Sequence, residues 1–206
     1  MTPRRALLLA TLAASLPRPG RAQQVDIARA TAFIQSTGEE LVRAINSGAA
    51  VAQRREQVAA ILRRAVDVEG VGRFILGRWW RTATPEQQQE YLQLFEQVLI
   101  HNLSARFGEY QGVRFALGRS QARTEEDALI NTVVERPNSP AFALDWRVSE
   151  VAGQPRIVDV IAEGTSLRLT TRSEYSSVIT RNGGNVSALL AAMRQQIQQL
   201  RQAAGG

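Results

Sequence analysis

The 206-residue chain has no cysteine, no lysine and a single histidine, His101. The missing thiols exclude a disulfide scaffold, thiolate zinc sites, iron–sulfur clusters and a cysteine nucleophile. One imidazole leaves no His-rich metal site and makes a Ser-His-Asp triad depend on one position. All 25 basic residues are arginine, a bias of residue usage rather than a binding chemistry. Glycine at 15 and proline at 7 are ordinary, while 44% of residues are apolar, so collagen-like, low-complexity and wholly disordered classes fall away. The apolar run at residues 6–16 spans about 16 Å as a helix, far short of the roughly 30 Å hydrocarbon core, so a transmembrane anchor is not expected.

The net charge of +6 and a pI near 11.0 suggest a nucleic-acid partner at first sight. Residues 1–22, however, hold Arg4, Arg5, Arg18 and Arg21 and no acid, which leaves 21 arginines against 19 carboxylates, a net +2, in the remainder. No nucleic acid is expected. Two early arginines, the apolar run, a break at residues 17–20 and small residues Gly20 and Ala22 form the three-part layout of a secretory signal peptide. Cleavage after Ala22 is expected, with residues 23–206 as one domain in a bacterial periplasm. Without a cysteine after the apolar run, lipoprotein attachment is excluded.

The mature chain reads as helices, then strands, then helices. Helical spacing covers residues 25–45 and 51–66, the second with Arg54, Arg55, Arg63 and Arg64 on a solvated side. Asp67 can cap a short helix containing Val71, Phe74 and Ile75, closed by Gly77. Thr84-Pro85-Glu86-Gln87 is a capping-box start with proline at the first helical position. The helix that follows reaches about Phe107, carries an apolar stripe from Tyr91 onwards, and holds His101 on its flank as a surface or packing residue. After Gly112 the period changes to two, giving strands at 113–117, 127–135, 141–149 and 156–162 separated by Pro- and Gly-containing turns. Beyond Gly164 the chain is helical to Gly183-Gly184, and a last helix spans 186–201. The expected fold is α+β: a four-stranded curved antiparallel sheet with several helices packed on one face.

Catalytic patterns are missing. There is no G-x-S-x-G elbow, no H-E-x-x-H, no P-loop and no dinucleotide fingerprint, so no catalytic residue, metal or cofactor is assigned. Asp159, between Val158 and Val160, could serve as a general base in a cavity. The plainer reading is a carboxylate paired with an arginine or capping the following helix. The sequons at Asn102 and Asn185 fall in predicted helices and are chance matches.

The segment Leu76-Gly77-Arg78-Trp79-Trp80-Arg81-Thr82-Ala83-Thr84-Pro85-Glu86-Gln87, followed by Tyr91, Phe95 and Leu99, resembles the toluene-tolerance/MlaC family of periplasmic phospholipid-binding proteins. So does Ile157-Val158-Asp159-Val160-Ile161-Ala162-Glu163-Gly164-Thr165-Ser166-Leu167, then Thr171-Arg172-Ser173-Glu174-Tyr175. The variant Leu144-Asp145-Trp146-Arg147-Val148 is most similar to the hopanoid-associated HpnM branch. Pro155-Arg156 departs from the aromatic–Lys pair of many members.

The resemblance implies a soluble, monomeric shuttle that carries phospholipid between an inner-membrane ABC transporter complex and an outer-membrane lipoprotein complex. Two acyl chains of about 16 carbons represent on the order of 25 kcal/mol of apolar transfer, so a carrier must hide them. The expected apolar cavity is lined by Phe74, Trp80, Leu94, Phe95 and Val98 from the helices. Phe115, Leu144, Trp146 and Val160 line it from the sheet. Arg78, Arg81 and Arg172 are headgroup candidates, since guanidinium matches phosphate oxygens bidentately. Two other readings stay open: a small cavity enzyme using Asp159, and an adaptor of a membrane complex that binds no lipid.

Overall fold

The computed structural model describes residues 26–104 and 110–205. The expected signal peptide and its cleavage point at Ala22 lie outside the described residues, as does Phe107. The chain begins with three helices, α1 (Ile27–Asn46), α2 (Val51–Ala65) and α3 (Val68–Leu76), then a 3-10 turn at Gly77–Arg81 and α4 (Pro85–Ser104). Strands β1 (Arg114–Ala122), β2 (Asp127–Arg136), β3 (Ser139–Val151), β4 (Gln154–Ala162) and β5 (Thr165–Ser166) follow, then α5 (Leu167–Arg181) and α6 (Val186–Gly205).

The helix starts follow their caps. The Asp67 side chain accepts from Gly70 N–H, and Gly77, at φ 57°, closes α3 in a conformation that L side chains resist. At α4 the Gln87 N–H donates to Thr84 Oγ1 (3.3 Å) while Thr84 N–H donates to Gln87 Oε1 (3.0 Å), a reciprocal pair.

The sheet is an antiparallel meander in the order β1-β2-β3-β4-β5. Four strands were expected and five are found. The extra one arises because Glu163 (φ 51°) and Gly164 (φ 79°) form a two-residue turn with both φ positive, which folds Thr165 back against Ala162 before α5 starts. A bulge in the β3–β4 pairing leaves Val158 as the extra residue between Ile157, opposite Val148, and Asp159, opposite Arg147.

Three apolar cores result. One lies between α1, the end of α2 and the sheet, around Ala30, Ile34, Ala65, Ile130 and Val148. A second joins the ends of α1 and α2 to Val113. The third is a helical core in which α3, α4, α5 and α6 surround Tyr91 and receive Val158 from the bulge. Tyr91 is fully buried, stacks on Phe95 (6.0 Å between ring centres) and meets Trp80 and Tyr175 edge-on. Its hydroxyl donates to the Gly72 carbonyl at 3.0 Å, and burial pushes its ionisation well above the usual phenol range. A side chain at Gly72 would place Cβ 2.7 Å from Leu92, so glycine is what lets α3 lie so close to α4.

His101 is buried rather than on the surface, at 7% exposure. Its Nε2 accepts from Arg201 Nε at 3.3 Å, and burial, then Arg55 and Arg201, lower its pKa. The reason it is buried is that α6 crosses α4 beside it and brings Arg201 over the ring.

Two expectations follow. Tyr91→Phe removes a buried hydrogen bond from the Gly72 carbonyl, which keeps its helical partner, and should cost about 1 kcal/mol in urea unfolding. Because the folded pKa of His101 lies below its unfolded value near 6.5, the neutral folded form is favoured above that pH. Stability should therefore fall as pH drops through 6.5 and below, and His101→Gln should flatten that slope in unfolding curves recorded across the range.

Candidate functional site

Side chains alternate across the sheet, so one face is set by register. β2 presents Ala128, Ile130, Thr132 and Val134, and β3 sets Val148, Trp146, Leu144 and Phe142 opposite them. β1 adds Phe115 and Leu117, and β4 adds Ile157 and Val160. A helix must cover this apolar face, and α1 does so diagonally. At one end Arg29 donates to the Gly153 carbonyl in the β3–β4 turn (2.8 Å) and Thr31 to Ser120 (2.9 Å). Midway, Gly38 seats the Phe115 ring, where a Cβ would come within 2.6 Å of it. At the far end the Asn46 amide brackets β1, accepting from Gly112 N–H and donating to the Val113 carbonyl.

That diagonal buries Ala128, Ile130, Val148 and Ile157. It leaves the opposite corner, from 142 to 146 on β3 and around 160 on β4, under thinner cover. Phe142, Leu144, Trp146 and Val160 there are only half-buried. The Trp146 indole is fixed by donating to Thr132 Oγ1 at 2.8 Å.

The nine expected lining residues do not meet in one place. Leu144, Trp146 and Val160 gather on the thinly covered corner, and Phe115 lies across the sheet under Gly38. Leu94, Phe95 and Val98 are buried in the helical core around Tyr91, with Phe74 and Trp80 at its border. The reason is the bulge: it turns Val158 to the helices while Ile157 and Val160 stay with the sheet core, so the two sets pack separately. Phe142, on the same β3 face as Leu144, belongs with the corner, and its place in the alternating pattern of β3 was the signal for it. The two prominent recesses among the described residues are open and of mixed polarity, one of about 310 Å³ beside Arg63 and Arg156 and one of about 580 Å³ along α5.

The three headgroup candidates are exposed. Arg172 donates to the Phe74 carbonyl at 3.0 Å and lies over the Phe74 ring. Arg78 covers Trp79, whose indole donates to Ser176. Arg81 ends the 3-10 turn.

Asp159 is on the other face of the sheet from Val160, and its oxygens are fully engaged. Oδ1 accepts from Val160 N–H (2.9 Å) and Arg168 N–H (3.2 Å); Oδ2 accepts from the Ser166 hydroxyl (2.6 Å) and pairs with Arg168 Nε at 3.4 Å. Ser166 in turn caps α5 by accepting from Leu169 N–H. A carboxylate so occupied has no position free to accept a substrate proton, so it clamps and caps rather than acts as a general base. Beside it Asp127, 1% exposed, is bonded by Arg147. This charged cluster of Asp127, Arg147, Asp159 and Arg168 was not foreseen, since its members become neighbours only through strand register. No group of three or more potential metal ligands occurs among the described residues.

An open meander with a diagonal helix and a second helical core defines a specific α+β class, and the comparisons place it. Residues 35–195 match the sequence profile of the MlaC protein family, and the chain belongs to that family. It is 22% identical over 145 residues to toluene tolerance protein ttg2D of Pseudomonas putida, covering 70% of this chain and 67% of that protein. Its fold is similar to that of a phospholipid-binding protein from Ralstonia solanacearum solved in complex with a phospholipid. The TM-score is 0.74 at 23% identity, over 84% of this chain and 98% of the other.

The clamp carries a testable consequence. Asp159→Ala leaves the Arg168 guanidinium, 16% exposed, without its partner, and should destabilise the fold by about 3 kcal/mol in urea unfolding. Ser166→Ala, which removes a cap, should cost about 1 kcal/mol.

Proposed function

We propose that the protein is a periplasmic lipid carrier that holds phospholipid acyl chains against the sheet and shuttles them between an inner-membrane ABC transporter complex and an outer-membrane lipoprotein complex, working as a monomer after removal of its signal peptide. The observation that carries this reading is the thinly covered corner of the sheet. Large apolar side chains at Phe142, Leu144, Trp146 and Val160 are half-buried on one continuous face, an arrangement that costs stability unless something apolar occupies it. Membership of the MlaC family supports the reading, as does the phospholipid bound to the structural relative from Ralstonia solanacearum.

In this reading Leu144, Trp146 and Val160 touch the acyl chains and Phe115 extends the same surface under α1. On the α3–α4 side, chains that enter between the two cores meet Phe74 and Trp80 at the border of the helical core, with Leu94, Phe95 and Val98 forming the wall behind them. Arg78, Arg81 and Arg172 offer guanidinium groups to the headgroup phosphate. Nothing in the site supplies acid–base chemistry, because the buried carboxylates are tied into ion pairs, so the reading includes no turnover.

Organic extraction of protein purified from periplasm, followed by mass spectrometry, should recover phospholipid. Leu144→Asp, which sets a charge on a half-exposed position, should reduce the recovered lipid about tenfold or more while the thermal unfolding midpoint changes little. Lipid-free wild-type protein from such a preparation would sink the proposal.

A further inference from the structure

The largest exposed apolar side chains on the helices are not on the sheet side at all. Leu167 and Leu169, 48% and 55% exposed, project from the first turn of α5. They stand there because the Asp159–Ser166 clamp fixes the start of α5 and gives the first turn to solvent. One turn further along, about 5 Å up the axis, Arg172 and Ser173 share the side of Leu169, followed by Ser176, Ser177 and Arg181 along an open groove of about 580 Å³. Arg78, lying over Trp79, borders Ser176 through the indole hydrogen bond. Arg78, Arg172 and Arg181 form no ion pair with a carboxylate among the described residues. α5 itself carries Arg168, Arg172 and Arg181 against one acid, Glu174, which lies on the flank away from Leu169.

We infer that the first turn of α5, with Leu167 and Leu169 on opposite sides of its tip, together with the Leu169 side of the helix, is a docking surface for an anionic lipid bilayer. The layering matches a membrane interface from the inside out. Leucines at the tip reach the acyl boundary, Arg172 and serine hydroxyls one to two turns above meet the phosphates, Trp79 lies at headgroup level, and Arg181, about three turns along, adds longer-range attraction to the anionic surface. Charge complementarity alone would also suit an acidic peptide. Such a partner would satisfy the arginines but leave both leucines in water, so the combination of exposed apolar tip and unpaired guanidinium groups points to the bilayer. This goes beyond the carrier reading, because it concerns how the protein meets a membrane and not what it holds; Arg78 and Arg172 border both surfaces, whereas Leu167, Leu169 and Arg181 belong to this one.

Flotation of the full mature protein with vesicles tests it. Binding to vesicles enriched in phosphatidylglycerol, absent with pure phosphatidylcholine and weakened by salt, is expected. Arg181→Gln should weaken binding about fivefold, and Leu167→Asp with Leu169→Asp about tenfold or more. An aspartate in a first turn favours the helix, so loss of binding in that variant is not melting of α5, and circular dichroism checks this. Lipid recovered by extraction should be the same in the Leu167/Leu169 variant as in wild type, which separates this surface from the cargo site. Vesicle binding that ignores charge, or that survives the leucine substitutions, overturns the proposal, as does binding to an acidic peptide with none to vesicles.

Discussion

The hydrogen bond from the Ser166 hydroxyl to the Asp159 carboxylate, 2.6 Å long and partly buried, sets where α5 begins, and much of the molecule follows from that start. The same carboxylate takes the Arg168 N–H, so the first turn of the helix is held on β4 by its backbone as well as its side chains. Arg168 and, one turn later, Arg172 then lie over the Phe74 ring, which ties α5 to α3. With α3 fixed, Gly72 brings it close to α4 and Tyr91 closes the helical core. A carboxylate shielded this way strengthens its ion pair but leaves the partner costly to abandon, so the clamp is better understood as a determinant of geometry than as a reserve of stability.

The sheet obeys a different constraint. One helix crossing four strands at an angle cannot cover every residue of a face, and α1 is pinned at both ends, by Arg29 on the β3–β4 turn and by Asn46 at the start of β1. Its path therefore decides which apolar side chains are sealed and which are left at half cover. A globular domain selected only for stability would place polar residues in that corner. Here the corner carries Leu144 and Trp146, so the sequence spends apolar surface where packing returns little, and the proposed carrier role would give that expense a purpose.

Much of the fold was legible because its signals are local. Asp67, the Thr84–Gln87 pair and Gly77 announce helix ends through chemistry within four residues, and the alternation from Val113 onwards is a period any strand must show. The two-residue β5 was not legible, since Glu163-Gly164 reads as an ordinary loop until both φ angles turn positive. The candidate site was legible in its sheet half and not in its helical half. Leu144, Trp146 and Val160 share a face by strand register, whereas the Val158 bulge, which no pattern in residues 156–162 reveals, sends Phe95 and its neighbours to another core. For His101, expected on the surface or in packing, the sequence left the choice open, and only the tertiary crossing of α6 makes it a packing residue. Asp159 was read correctly in its plainer sense, as a paired and capping carboxylate.

The Val158 bulge has a mechanical meaning as well. Because neighbouring residues of a single strand serve separate interiors, Ile157 the sheet side and Val158 the bundle side, the two compartments divide at β4 and meet again where α2 lies along α4, joined by the Arg63–Glu96 ion pair. A rearrangement on the sheet side, such as α1 yielding ground, need not propagate into the aromatic stack at Tyr91. The fold can thus keep one block as a frame while the other breathes, and a carrier of the kind proposed here would open and reseal without loosening its whole interior.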